Sequence, residues 1–130
     1  MINTKILIVD DDQYVQRLYK LILAEIDIDS IKFASNGREA IKTYKSSKFD
    51  PELIIMDYRM PLMNGIDAMN EILNINKNEK IIFASADPSV KKRALSMGAV
   101  KFLTKPFDIH ILLKTIKDLL KIKETLEKND

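Results

Sequence analysis

Short continuous apolar runs alternate with amphipathic segments along the whole chain. Five runs are predicted to form buried strands, at about residues 5–9, 31–34, 53–56, 81–84 and 100–104. Between them, apolar residues recur at i, i+3, i+4 and i+7, the spacing of a helix that packs one face on a core. This spacing is found in residues 13–25, 39–45, 66–73 and 90–97, and in a last segment from about residue 108.

Strict alternation of strands and helices predicts a doubly wound α/β fold. Parallel neighbouring strands need crossover connections, and these are right-handed almost without exception. A five-stranded parallel sheet of this type commonly has the order 2-1-3-4-5, as in flavodoxin-like (βα)5 folds. We expect one domain over residues 1–130. An apolar strip continues through Leu119, Ile122 and Leu126, so the last helix is expected to extend beyond the core from about residue 120.

Several residues mark where the predicted helices begin, end and face the core. Asp12 is suited to cap the first helix, Pro88 to open the fourth and Gly98 to end it. The predicted core positions of the first helix are Val15, Leu18, Tyr19, Ile22 and Leu23. Those of the last helix, which begins near Asp108, are Ile109, Leu112, Leu113, Ile116 and Leu120.

Composition limits the class of protein. No apolar stretch approaches the roughly 20 residues of a membrane-spanning helix, and no signal-peptide pattern opens the chain. The absence of cysteine agrees with a reducing compartment. The net charge of +2 is too small to argue for nucleic-acid binding. We therefore expect a cytoplasmic protein with no membrane insertion and no direct contact with nucleic acid.

Polar side chains follow four of the predicted strands. Asp10 and Asp11 follow the first strand, Asp57 the third, Ser85 the fourth and Lys105 the fifth. Because the carboxyl ends of parallel strands meet at one edge of the sheet, these side chains should converge. Clustered carboxylates repel one another, and Mg²⁺ or Mn²⁺ suits an all-oxygen site that relieves this repulsion. Carboxylate, metal, lysine and hydroxyl together suit phosphoryl transfer that forms an aspartyl phosphate.

These residues resemble the receiver domains of two-component response regulators. The likeness rests on the acidic group after the first strand, residues 56–65 around Asp57, Ser85-Ala86 and the segment 105–107. It covers nearly the whole chain, which resembles a stand-alone, single-domain regulator of the chemotaxis type. The resemblance implies that Asp57 is the phosphoacceptor. It also implies that Ser85 and Lys105 bind the phosphoryl group.

The resemblance implies further roles around the acceptor. Asp10, Asp11 and Asp57 would hold the metal together with the backbone carbonyl of Arg59. The Lys105-Pro106 bond would be cis. Asp12 has no such role in the family, and capping the first helix is the better interpretation.

Other positions are assigned to switching and to the mouth of the site. By resemblance, Ser85 and Phe102 are switch residues, and core packing is the competing interpretation of Phe102. Arg59 and Asp87 flank the phosphorylated site in the family and could pair across its mouth, which predicts slow hydrolysis.

The resemblance also implies a function and its partners. The chain would be a phosphorylation-dependent switch that accepts its phosphoryl group from a histidine kinase or a phosphotransfer protein. Phosphorylation would shift the surface of helix four, strand five and helix five, and so signal to a downstream protein. It would not be an enzyme, except toward its own phosphorylation and dephosphorylation. DNA-binding response regulators of the winged-helix class usually carry an arginine at the position of Thr115 and form a salt-bridged dimer. Because this chain lacks that arginine, we expect a monomer or weak dimer.

Two alternatives remain at this stage. Asp10-Asp11-Asp12 can be read as the Asp-x-Asp motif of a haloacid-dehalogenase-like, Mg²⁺-dependent phosphatase. Gln13 and Tyr14 do not supply the Thr or Val usual after that motif, and no late acidic pair follows Lys105. The second alternative is an interaction module that has the receiver fold and never takes phosphate.

Overall fold

Strands and helices alternate along the chain, as predicted. The computed structural model describes residues 3–46 and 48–121. Within this part of the chain, the elements are β1 (Lys5–Val9), α1 (Gln13–Ala24), β2 (Ser30–Ala34), α2 (Gly37–Lys45), β3 (Leu53–Met56), α3 (Gly65–Ile75), β4 (Ile81–Ser85), α4 (Lys91–Met97), β5 (Lys101–Thr104) and α5 (Ile109–Leu120). No helix in these ranges is long and apolar enough to cross a membrane.

The strands form one parallel sheet with the order β2-β1-β3-β4-β5. This confirms the predicted doubly wound, flavodoxin-like fold. The register places Ile8 of β1 beside Ile55 of β3, so the ends of these two strands are adjacent. Every residue of β3 and β4 is buried, which explains why their sequences are continuous apolar runs.

Two hydrophobic clusters cover the two faces of the sheet. Ile6 and Ile8 of β1 pack with α1 and α5, whereas Leu7 and Val9 pack with α2, α3 and α4. Successive side chains of a strand point to opposite faces, so one short strand contributes to both clusters. Each large apolar side chain that is fully buried contributes about 1.5–3 kcal/mol. The two clusters fix the strand ends that carry the polar residues.

Capping side chains set where α1 and α2 begin. The Asp12 carboxylate accepts hydrogen bonds from the backbone N–H groups of Tyr14 and Val15, at 2.8 and 3.3 Å, which confirms its predicted role. The predicted start of α2 at residue 39 was two residues too late. Asn36 caps this helix by accepting from the Glu39 N–H at 2.9 Å, so the first turn begins at Gly37.

The α3–β5 region shows two smaller differences from the prediction. A 3₁₀ turn, Pro88–Val90, precedes α4, so the α-helix begins at Lys91. Gly98 ends α4 as predicted, with a φ of 124° that disfavours other residues. The fifth strand begins at Lys101, one residue later than predicted.

Two predicted core positions are exposed. Leu18 of α1 is 45% exposed, and Ile109 of α5 is 43% exposed. The buried face of α1 is centred on Tyr19 and Ile22, and Leu18 lies about 100° around the helix from Tyr19. Ile109 is the first residue of α5, in a turn that precedes the buried part of the helix. Thr115 is buried instead, and its hydroxyl donates to the Ile111 carbonyl at 2.7 Å.

The last helix ends at Leu120 within the described chain. Lys121 adopts a left-handed conformation with φ 58°, and its N–H donates to the Asp118 carbonyl at 3.3 Å. The predicted extension of the apolar strip through Ile122 and Leu126 falls outside the described residues.

A buried carboxylate lies between α3 and β4, away from the strand ends discussed above. Glu79 is 7% exposed and accepts a hydrogen bond from the Tyr44 hydroxyl at 2.7 Å. Burial is the main cause that raises the pKa of Glu79, and the Tyr44 hydrogen bond opposes it. Burial and the same hydrogen bond raise the pKa of Tyr44 to about 12.

Replacing Glu79 should therefore change how stability depends on pH. A raised pKa in the folded state means that this carboxyl stabilises the fold at low pH and loses that contribution as the pH rises through its folded-state value. Glu79→Gln keeps an acceptor for Tyr44 and cannot ionise. In urea unfolding at pH 8, we expect Glu79→Gln to have a larger free energy of unfolding than the wild type. This difference should shrink toward pH 4. Tyr44→Phe should cost about 1 kcal/mol. A Glu79→Gln effect that is equal at both pH values would contradict this account.

Candidate functional site

The carboxyl ends of β1, β3, β4 and β5 open into one cleft of about 600 Å³. All the predicted phosphoryl and metal residues lie in this cleft. Its lining is Asp10, Asp11, Asp12, Val15, Asp57, Arg59, Ser85, Ala86, Asp87, Pro88 and Lys105. Phe102 is the one predicted switch residue that does not line it.

Three carboxylates meet at the base of the cleft. One oxygen each from Asp10, Asp11 and Asp57 lies within 4.8 Å of the other two. Asp10 is 2% exposed and accepts from the Asp12 N–H at 2.9 Å, whereas Asp11 is exposed. Asp57 is intermediate in burial and accepts from its neighbour's N–H, that of Tyr58, at 2.8 Å. Three converging hard oxygen donors suit Mg²⁺, with water completing its coordination.

Lys105 provides the positive charge of the cluster. Its Nζ lies 2.5 Å from Asp10 Oδ2 and 3.6 Å from Asp57 Oδ1. The cis Lys105-Pro106 bond follows the end of β5, and the Lys105 N–H donates to the Ser85 carbonyl at 2.8 Å. One ammonium group faces three carboxylates, so a divalent cation would complete the neutralisation.

The pKa of Asp57 reflects this imbalance. Burial raises it most, Lys105 lowers it, and the negative charge of Asp10 raises it again. The Tyr58 N–H lowers the pKa of Asp57, and Asp11 raises it further. The net direction is upward, so the cluster favours binding a proton or a cation at Asp57.

Ser85 and Asp87 are linked at the end of β4. The Ser85 side chain is buried, and its Oγ accepts from the Asp87 N–H at 3.0 Å. The Ser85 O–H proton is thus left to donate to a group in the cleft. The Asp87 carboxylate accepts from the Ser89 hydroxyl at 2.6 Å and the Ser89 N–H at 3.0 Å. These bonds, followed by that of Arg59, lower the pKa of Asp87.

Arg59 and Asp87 form an ion pair at the mouth of the cleft. Arg59 Nη2 lies 3.0 Å from Asp87 Oδ2. The arginine side chain is 78% exposed, and its guanidinium lies 5.7 Å from the centroid of the Tyr58 ring. The pair joins Arg59 of the β3–α3 loop to Asp87 of the segment after β4.

Phe102 lies in β5 behind the cleft. Its ring stacks on Phe83 of β4, with centroids 6.2 Å apart and planes inclined by 17°. The side chain is half-buried against the α2–α3–α4 cluster. Phe102 therefore packs on the strand that carries Ser85, without reaching the acidic group itself.

Three residues that position the site were missed as site residues. A Cβ on Gly65 would lie 1.9 Å from the Asp57 carbonyl oxygen, so only glycine allows this approach. The Asn64-Gly65 dipeptide is a turn signal that could have indicated it. Gln16 Nε2 donates to the Asp10 carbonyl at 2.7 Å, and Phe107 packs on Tyr19 with centroids 5.7 Å apart. No sequence signal marks the Gln16 contact, whereas Phe107 belongs to the segment 105–107 that carries the family resemblance.

The family model described as the response regulator receiver domain matches residues 6–117. The chain belongs to this family. Its members are phosphorylation-dependent signalling switches, so the predicted family and general function are confirmed. Nothing among the relatives supports the haloacid-dehalogenase-like alternative, and Asp12 of its supposed motif caps α1.

Named relatives agree with this assignment. The chemotaxis protein CheY of Thermotoga maritima is 41% identical over 105 residues, which span 79% of this chain and 86% of that protein. The response regulator TrrA of Thermotoga maritima, solved in complex with Mg²⁺ and BeF, gives a TM-score of 0.80 at 32% identity. That alignment covers 89% of this chain and 98% of TrrA.

A second structural relative is a complex. The CheX-CheY-BeF₃-Mg²⁺ complex from Borrelia burgdorferi contains a chain with a TM-score of 0.83 and 28% identity. The alignment covers 90% of this chain and 89% of that one. Both structural relatives thus carry Mg²⁺ and a beryllium fluoride.

Magnesium should stabilise the protein through the three carboxylates. We expect Mg²⁺ to raise the thermal unfolding midpoint, by an amount equivalent to about 2.7 kcal/mol when its concentration is 100 times the Kd. Asp11→Asn should strongly reduce the response, because it removes one charged ligand. Asp12→Asn is a matched control, since asparagine also caps a helix and the residue stays beside the cluster. Thermal scans with Mg²⁺ and with chelator measure both effects. An equal response in the wild type and Asp11→Asn would exclude Asp11 as a ligand.

Proposed function

We propose that Asp57 accepts a phosphoryl group and that the protein is a phosphorylation-dependent switch in a two-component phosphorelay. The observation that carries this is the convergence of Asp57 with two further carboxylates and Lys105 in one cleft. Asp10 is the most buried of the acids and is held by the nearer contact with Lys105. Asp57 Oδ2 has no hydrogen bond among the described residues, which suits a nucleophile.

The residues have distinct parts in the transfer. An Asp57 oxygen forms a bond to phosphorus, and the bond from phosphorus to the donor nitrogen breaks, leaving its electron pair on the imidazole. Lys105 pairs with a phosphoryl oxygen, and the Ser85 hydroxyl donates a hydrogen bond to another. Asp10, Asp11, Asp57 and the Arg59 backbone carbonyl would hold Mg²⁺. When bound, the metal would neutralise negative charge on the phosphoryl oxygens.

The switch follows from the contacts of Ser85. When the Ser85 side chain rotates toward the phosphoryl group, its Oγ moves away from the Asp87 N–H that donates to it, and the segment after β4 moves. Phe102 stacks on the same strand, so its packing changes with it. The result is a population shift between two packings of the α4–β5–α5 surface.

The partners follow from this chemistry. The donor is a phosphohistidine on a histidine kinase or a phosphotransfer protein, and the α4–β5–α5 surface contacts a downstream protein. The part of the chain that matches the family model, residues 6–117, acts as one receiver domain, as a monomer or weak dimer. The protein is not an enzyme toward other substrates, since its chemistry begins and ends at its own Asp57.

Phosphorylation should be visible by intact mass. After incubation with Mg²⁺ and a small-molecule phosphodonor, we expect one phosphate adduct on the wild type and none on Asp57→Asn. The adduct should not form when Mg²⁺ is chelated before the donor is added, and it should form in Asp12→Asn. An adduct that remains in Asp57→Asn would overturn the assignment. A wild type that takes no phosphate from a small donor or a phosphohistidine protein would favour the interaction module.

The ion pair at the cleft mouth should lengthen the lifetime of the phosphorylated state. Arg59 pairs with Asp87 across the path by which water reaches the acceptor, so Arg59→Ala should hydrolyse faster. We expect an effect of about two- to fivefold, as befits an exposed ion pair. The decay of the adduct at fixed pH measures it. Arg93→Ala, which removes an exposed arginine of α4, is the control. An unchanged lifetime in Arg59→Ala would refute the role of the pair.

A further inference from the structure

A groove between α2 and α3 carries positive charge that the described chain leaves unpaired. It has a volume of about 450 Å³ and is lined by Arg38, Ile41, Lys42, Lys45, Met63 and Glu71. The ion pairs found in residues 3–46 and 48–121 involve none of its three cations. Glu71 is the only carboxylate of this lining, so the groove is net positive.

The three cations form one row along α2. Arg38, Lys42 and Lys45 stand at i, i+4 and i+7, which places them on one face over about 10 Å of the helix axis. Arg38, Lys42 and Lys45 are all exposed. A row of this length matches two turns of a helix with acidic residues at the same spacing.

Two apolar residues line the groove, and a third stands next to one of them in the chain. Ile41 is 8% exposed, and Met63 is packed partly buried against the same cluster. Leu62, next to Met63 in the chain, is 77% exposed and has a φ of 68°. A left-handed conformation is sterically unfavourable for a residue with a side chain. An exposed apolar side chain held in that conformation is a candidate contact for a partner.

We propose that this groove binds an acidic amphipathic helix of a partner protein. Carboxylates of that helix pair with the α2 row, and its apolar face covers Ile41, Met63 and Leu62. A nucleic acid fits less well, because the lining of the groove offers no aromatic ring on which a base could stack and the net charge of the chain is only +2. The proposal does not depend on phosphoryl transfer, since none of the groove residues belongs to the acidic cluster.

The test uses the whole chain and a synthetic helical peptide. The peptide carries Glu at i, i+4 and i+7 beside a leucine face, and its affinity is measured by fluorescence anisotropy. Amide shifts in the NMR spectrum should map to α2 and Met63. The double variant Lys42→Glu, Lys45→Glu should bind at least about tenfold more weakly, because like charges then face each other. The control Lys20→Glu, Lys92→Glu reverses two exposed lysines on other helices and should bind within about twofold of wild type.

Several outcomes would overturn the proposal. Equal binding of a peptide with Gln in place of Glu would remove the role of charge. Equal losses in the two double variants would mean that only the overall charge matters. A single-stranded RNA oligonucleotide that binds the same residues more tightly than the peptide would assign the groove to nucleic acid. Self-association lost in the Lys42→Glu, Lys45→Glu variant, with no peptide binding, would assign it to a second copy of the chain.

Discussion

The repulsion among three carboxylates at one edge of the sheet is the constraint on which the rest of the site depends. Asp10, Asp11 and Asp57 bring converging oxygens together, and Lys105 offers a single opposing charge, nearer to Asp10 than to Asp57. Such a cluster is costly to bury without a cation, as the raised pKa of Asp57 indicates. The same imbalance suits the cleft to a divalent metal, whose charge would in turn attract an incoming phosphoryl group. The acidic cluster thus destabilises this part of the fold, and the same cluster forms the reactive site.

The sheet tolerates this repulsion because apolar contacts away from the acidic cluster stabilise it. β3 and β4 are buried throughout, and β1 divides its side chains between two apolar clusters. Since the strand ends are fixed by these contacts, the polar residues that follow have little freedom to separate. Gly65 adds a second constraint, because its backbone lies against the Asp57 carbonyl where no Cβ would fit. The three carboxylates that repel one another are therefore held in place by uncharged parts of the fold, the apolar clusters and the backbone at Gly65.

Much of this could be predicted from the sequence, for identifiable reasons. Continuous apolar runs reveal strands buried on both faces, and polar residues directly after them reveal the cleft. Asp12 could be predicted as a helix cap because its side chain bonds to backbone N–H groups only two and three residues further along the chain. What depends on three-dimensional packing was not predictable: the exposure of Leu18, the contact of Gln16 with the Asp10 backbone, and the closer pairing of Lys105 with Asp10. The early start of α2 was missed because the apolar spacing marks this helix only from residue 39, whereas the Asn36 side chain caps it three residues earlier.

The β3–α3 loop joins the cleft to the groove beside α2. It begins at Asp57, and the Gly65 N–H donates back to the Tyr58 carbonyl at 2.9 Å. The Met63 carbonyl accepts from the Gly37 N–H at 3.1 Å, and a Cβ on Gly37 would lie 2.7 Å from that oxygen. The loop is thus in backbone contact with α2 while its first residue lies in the acidic cluster. If ligands at the two ends of the loop favour the same arrangement of it, each raises the affinity for the other by the same factor, because binding linkage is reciprocal. Because the loop packs closely against the backbone at Gly37, a movement at its Asp57 end is expected to shift the residues beside α2 as well.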